Sequence, residues 1–203
     1  MRTPVVDAFR PLVRGVSRVY FGLEFRGTEH VPAAGPLVIT PNHQTFADPV
    51  LVTIPIRRRI YYMAWRRLFQ VPVLSGLIRL LRAFPVDLDA RDLGAVREAR
   101  RLLMDEQAVV MIFPEGGRSV DGTLGRFHPG AFRLAASLGV PVLPVTIAGA
   151  HEAWPPGRTL PRPGRIVITY HPALTPEAAG DTRTAARELA ERARAAIASA
   201  LPR

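Results

Sequence analysis

The chain contains no cysteine. That absence excludes disulfides, a thiolate nucleophile and any zinc site built on cysteine, and it fits a cytosolic protein. Lysine is missing too, so all 27 basic residues are arginine, set against 17 acidic ones for a formal net charge of +10. A complete lack of one basic residue points to compositional bias, so part of the arginine excess carries no functional meaning. The remaining balance still favours a negatively charged partner: anionic lipid, nucleic acid or phosphorylated metabolite. Long hydrophobic runs are also lacking. None approaches the ~20 residues a membrane-crossing helix needs, and Asp7, Arg10 and Arg14 interrupt the N-terminal stretch before a secretory core can form. The expectation is a chain neither secreted nor membrane-spanning that can still lie on a membrane. Hydrophobic residues make up 48% of the 203, which excludes disorder and suffices for one α/β domain with a sizeable core.

What is present is organised around Leu37 to Asp48. Leu37-Val38-Ile39-Thr40 reads as a buried strand ended by Pro41. Asn42 and His43 follow in the loop past its carboxyl end, the edge of an open α/β sheet where ligands bind. Asp48 falls five residues after His43, in the first turn of a short helix. A carboxylate there can reach back to the imidazole, fixing its tautomer as a general base requires. Spacing alone leaves open a surface loop with an unrelated His and Asp. A second stretch has the same design. The apolar run Ala108 to Phe113 leads into Pro114-Glu115-Gly116-Gly117-Arg118-Ser119. Glycines allow close backbone approach to a ligand, and the Arg118 guanidinium offers a planar fork suited to phosphate. A glycine-rich turn with a Glu–Arg surface pair is the bland alternative.

The rest of the chain alternates strands and helices, predicting an α/β fold of one domain with a mixed, mostly parallel sheet flanked by helices. The active edge should collect the ends of the strands finishing at Thr40 and Phe113. Residues 1–20 read as an N-terminal amphipathic helix. Val5, Phe9, Leu12, Val16 and Val19 form an apolar stripe, and Arg10, Arg14 and Arg18 stack on another face. An apolar stripe flanked by arginine fits an interfacial helix, and it equally fits one packed on the domain. The segment from Pro72 to Leu81 is apolar on most faces, so it is either buried or in contact with lipid. Val96, Leu102 and Leu103 should face inward from a helix starting at Leu93. Residues 151–164 read as an irregular, proline-rich excursion. Arg57-Arg58-Arg59 is a solvated turn or a headgroup contact. His128 is a surface residue near the Glu115 cluster.

Taken together, Asn42-His43…Asp48, Phe113 to Ser119, and Val140-Pro141-Val142-Leu143-Pro144-Val145 resemble, in order, three motifs of the glycerolipid acyltransferase family, which includes the 1-acylglycerol-3-phosphate acyltransferases. The resemblance implies transfer of a fatty acyl group from acyl-CoA or acyl carrier protein to the free hydroxyl of a lysophospholipid acceptor, giving phosphatidate. It implies His43 as general base and Asp48 as its orienting partner. It implies Glu115, Gly116, Gly117 and Arg118 around the acceptor phosphate. Co-substrates serve in place of a bound cofactor, and no metal is expected. The implied location is cytoplasmic, peripherally on the inner face of the cell membrane. One family block departs: Arg82 stands where the family has Gly, and Leu88 where it has a second phosphate-binding Arg. Arg91 and Arg126 are the candidates to compensate, or the acceptor differs: glycerol 3-phosphate, a glycolipid or another lysolipid. A nucleic-acid binder rests on net charge alone, with scattered arginines and no nucleic-acid motif, so no such partner is expected. A lipid-binding scaffold with a vestigial site conflicts with the intact His43 and Asp48.

Overall fold

The computed structural model describes residues 4–87, 92–177 and 181–202, with side chains from Phe9 onward. In chain order the elements are α1 (Pro4–Phe21), β1 (Glu24–Arg26), β2 (Leu37–Pro41), α2 (Asp48–Thr53), β3 (Ile60–Trp65), α3 (Pro72–Leu80), β4 (Ala83–Val86), α4 (Leu93–Met104), β5 (Val109–Met111), α5 (Gly130–Leu138), β6 (Val142–Ala148), α6 (Ala150–Ala153), β7 (Val167–Tyr170) and α7 (Thr182–Ser199). The seven strands form one sheet in the order β1-β7-β6-β2-β5-β3-β4. Every pairing is parallel except β6 with β7. The sheet is therefore mixed and mostly parallel, as the alternation of elements predicts.

The core divides by strand alternation. In β2, Leu37 and Ile39 point to one face, where they join Met111, Val145, Leu51 and Val52; Val38 points to the other, with Val110, Leu102, Phe132 and Leu189. All five residues of β2 are buried. A strand covered on both faces must be apolar throughout, which is why the Leu37 run is continuous rather than alternating. β2 and β5 are neighbours in register, Ile39 opposite Met111. The chain segments leaving them, which carry His43 and Glu115, therefore emerge side by side at one sheet edge. This juxtaposition builds the site.

Several local expectations change. Proline 41 is the last residue of β2 rather than its terminator, paired with Val145. A short helix, α6, interrupts the start of the proline-rich excursion. In α4 the inward positions are Ala95, Ala99, Leu102 and Leu103, while Val96 is exposed. Small alanines there let the helix lie close to the sheet.

Helix α1 packs through a face of mixed polarity. Ser17 is buried, Val13 and Phe21 contact the core, and the Arg10 guanidinium donates to the Ile56 carbonyl. The apolar stripe faces outward: Phe9, Leu12 and Val16 are more than half exposed and Val19 is 89% exposed. Helix α3 has no buried residue, and Val73, Leu77 and Leu80, spaced four and three apart, are likewise exposed. Its apolar character is not explained by burial. Among the described residues, no helix is long and apolar enough to cross a membrane.

Candidate active site

Asp48 opens α2 and is fully buried. Burying a carboxylate costs several kcal/mol unless its oxygens are satisfied. Here they are. Oδ2 accepts from the His43 ring at 2.9 Å and from the backbone N–H groups of Gln44 and Thr45 at 2.6 and 2.8 Å, and Oδ1 accepts from the Thr45 hydroxyl at 2.6 Å. The bond from Thr45 N–H to the carboxylate three residues on closes the turn that leads into α2. The tight loop is thus folded by the same residue that holds the imidazole. Nδ1–H of His43 points at Asp48, so the tautomer assigned by this bond leaves Nε2 with its lone pair free. The His43 ring lies against the Phe113 ring, centroids 3.9 Å apart. It cannot swing away without losing that stack.

Two further clasps fix the loop. The Asn42 amide spans the Ile147 backbone, donating to its carbonyl at 2.9 Å and accepting from its N–H at 2.7 Å. Gln44 accepts from the N–H groups of Ala150 and His151 at 3.1 Å. They tie the His43 loop to β6 and to the start of α6. Nothing in the local sequence names these partners, which lie more than 100 residues away.

Glu115 has a structural position. One carboxylate oxygen accepts from the His43 backbone N–H and the other from the Gly125 N–H, each at 2.8 Å. The Ser119 N–H donates in turn to the His43 carbonyl at 2.8 Å. Burial pushes the Glu115 carboxyl above its ordinary value, while these two N–H groups pull it partly back. Gly125 is required because a Cβ there would meet the Glu115 carboxylate at 2.8 Å. Gly116 turns with φ of 72°, the left-handed region that glycine enters freely, and His128 packs over it. Gly117 is exposed, with nothing near its missing side chain. The carboxylate therefore braces the His43 loop through its backbone, with both oxygens engaged. We expect Glu115→Gln to lower kcat at least ~10-fold, because an amide can accept only one of the two N–H bonds and a charged hydrogen bond is worth ~1.5–3 kcal/mol. Since the folded carboxyl sits above its unfolded value, its contribution to stability is largest below the unfolded value and falls as pH rises through the folded one. The variant should lack that slope in thermal unfolding measured across the acid range.

Arg118 stacks on the Phe46 ring, its Cζ 3.5 Å from the centroid, and makes no ion pair among the described residues. Phe46 itself is 59% exposed. A guanidinium held flat on an aromatic ring keeps its donor edges free for an anion. Arg126 is exposed one residue beyond Gly125, on the loop returning past Pro114, where His128 N–H donates to the Pro114 carbonyl. Arg91 and Leu88 lie outside the described residues. At the other departure from the family pattern, Arg82 has φ of 65°. The backbone keeps a shape that glycine adopts without strain, and the side chain lies over Tyr61. Among the described residues, no His, Asp or Glu cluster could hold a metal ion.

A histidine held by a buried carboxylate, with a guanidinium on the neighbouring loop that makes no ion pair among the described residues, is an arrangement suited to deprotonating a hydroxyl that carries a phosphate nearby. Residues 22–148 match the family described as Acyltransferase, more than half of the chain, and the protein belongs to that family. Its relatives include a 1-acyl-sn-glycerol-3-phosphate acyltransferase of Chlamydomonas reinhardtii, 32% identical over 90% of this chain and 54% of that protein. Another from Pseudomonas aeruginosa is 30% identical over 92% of this chain and 72% of that protein. The crystal structure of the 1-acyl-sn-glycerophosphate acyltransferase PlsC from Thermotoga maritima superposes with a TM-score of 0.75 at 25% identity, covering 99% of this chain and 81% of that one. The chain spans about half the length of several curated relatives it matches.

Proposed function

We propose that the protein moves a fatty acyl group from a thioester donor, acyl-CoA or acyl carrier protein, to the free hydroxyl of 1-acylglycerol 3-phosphate, giving phosphatidate at a membrane surface. The observation that carries this reading is the clasp between two strand ends. His43 is held by Asp48 at 2.9 Å and by Glu115 through its backbone, while Arg118 stands free on the same loop pair. His43 Nε2 takes the acceptor's hydroxyl proton as that oxygen bonds to the thioester carbonyl carbon. The tetrahedral intermediate collapses, the C–S bond breaks, and the departing thiolate receives the proton from the imidazolium. Asp48 stabilises the transient positive charge on the ring. No protein nucleophile takes part. Arg118 binds the acceptor phosphate, with Arg126 and Arg91 as further candidates.

Arg118→Ala should raise the KM for a phosphate-bearing acceptor roughly 10-fold or more, the worth of one charged hydrogen bond, and leave that for the donor nearly unchanged. Steady-state kinetics with each substrate varied in turn checks this. A donor effect without an acceptor effect would reassign Arg118 to the phosphate of CoA or of the carrier. A second acceptor is favoured by one specific feature, Leu88 in place of the family arginine. A panel of lysophosphatidate, glycerol 3-phosphate and other lysolipids, compared by kcat/KM, decides between them.

The membrane contact rests on the uncovered apolar rows of α1 and α3. Leu12→Glu with Val16→Glu, both on the outer side of α1, should reduce sedimentation with anionic vesicles without unfolding the protein, because it places charge on a surface that would enter the lipid interface. Equal binding by the variant would remove α1 from the contact.

A further inference from the structure

The charged run Arg57-Arg58-Arg59 divides in the structure. Arg58 donates to the carbonyls of Pro32 and Gly35, and Arg59 pairs with Glu106 at 2.7 Å. Arg57 does neither. It lines a cavity of about 800 Å3 together with Arg14 and Arg18 of α1, Leu23, Glu24 and Thr28. Among the described residues, none of these three arginines forms an ion pair. Glu24 is the one acidic side chain on the wall, and its carboxylate is already held by Arg26 at 2.6 Å and Arg165 at 3.0 Å. The cavity therefore gathers positive charge that no ion pair among the described residues neutralises. None of its lining residues belongs to the His43, Glu115 or Arg118 cluster.

Like charges around one space repel, and an anion that fills the space relieves that repulsion. Three guanidinium groups with a threonine hydroxyl offer the planar, multiply donating surface that phosphate oxygens match. We propose that this cavity is a second anion site, separate from the catalytic one, that takes a phosphate-bearing ligand. The proposal stands whether or not the acyl-transfer reading holds. The helix geometry also bears on the ligand's source. At 3.6 residues per turn, Arg14 and Arg18 lie roughly half a turn around α1 from the exposed row of Leu12, Val16 and Val19. If that row meets lipid, Arg14 and Arg18 face away from the bilayer, which favours a soluble phosphate ester over a lipid headgroup.

The test uses the Arg118→Ala protein as parent, to remove the phosphate anchor of the catalytic site. Into it are introduced Arg14→Gln, Arg18→Gln and Arg57→Gln together, and Arg57→Gln alone. All three side chains are exposed, so the fold should survive. Inorganic phosphate and glycerol 3-phosphate are titrated by calorimetry. Phosphatidylcholine vesicles with and without phosphatidate are used in sedimentation. The parent should bind the soluble phosphates, the triple variant at least ~10-fold more weakly, and the single variant in between, with vesicle binding unchanged. A loss confined to phosphatidate vesicles would support the same site with a headgroup as its ligand. Parent and triple variant behaving alike toward both probes, or a parent that binds neither, would overturn the proposal.

Discussion

His43→Ala is expected to lower kcat by roughly 10²-fold or more, the scale of general-base loss, corresponding to about 2.7 kcal/mol of transition-state stabilisation. The geometry makes this the variant with the cleanest interpretation. The His43 side chain does not hold the loop: Asp48 binds the loop backbone through Gln44 and Thr45, Glu115 binds the His43 N–H, and Ser119 binds its carbonyl. Removing the imidazole leaves every one of those bonds in place. The circular dichroism and melting temperature of the variant should therefore stay close to wild type while turnover falls. A folded variant working at the wild-type rate would show that the proton goes elsewhere.

Asp48→Asn should be nearly as severe, by ~10²- to 10⁴-fold in kcat, for a different reason. An asparagine can place its carbonyl where Oδ2 sits and keep accepting from His43, Gln44 and Thr45. Its amide then faces the Thr45 hydroxyl, which can rotate to accept. The loop geometry survives and the charge does not, so the imidazolium of the proposed mechanism would lose its partner. Asp48→Ala differs in kind. It strands the N–H groups of Gln44 and Thr45, at ~1–3 kcal/mol for each buried group left unpaired, and should lower the melting temperature as well. The contrast between the two variants, activity loss with and without destabilisation, separates the electrostatic role of Asp48 from its structural one.

How far the sequence alone reaches depends on where a residue's partners lie. The two strands that lead to His43 and Glu115 were legible because buried parallel strands are continuous apolar runs, although β2 runs on to Pro41 and β5 stops at Met111, two residues short of the expected end at Phe113. The reach of Asp48 to His43 was legible because both lie within one turn and loop. The bracing by Glu115 was not. Its partners are backbone N–H groups of residues 43 and 125, which carry no side-chain signature, so a carboxylate beside Gly116 and Arg118 reads as a substrate contact. Asn42 and Gln44 were opaque for the same reason, since they bind the backbone of β6 and α6. Phe46 could have been found, as an aromatic two residues before Asp48 and in a loop that must meet Arg118. The α1 stripe shows another limit. Periodicity reports that Phe9, Leu12, Val16 and Val19 share a side, not whether anything covers it. The helix is held instead by Val13, Ser17 and Arg10, a mixed set with no hydrophobic period. The reversal of β7 is invisible likewise, because strand direction is set by the path of the excursion before it.

Acyl transfer driven by His43 to a phosphate-bearing hydroxyl can be read out by incubating wild-type protein and His43→Ala with lysophosphatidate and acyl-CoA, and analysing the lipids by mass spectrometry. Phosphatidate carrying the donor's acyl chain is expected from the wild type, with a yield at least ~10²-fold lower from the variant at equal time. Phosphatidate formed equally by both proteins would contradict that role for His43.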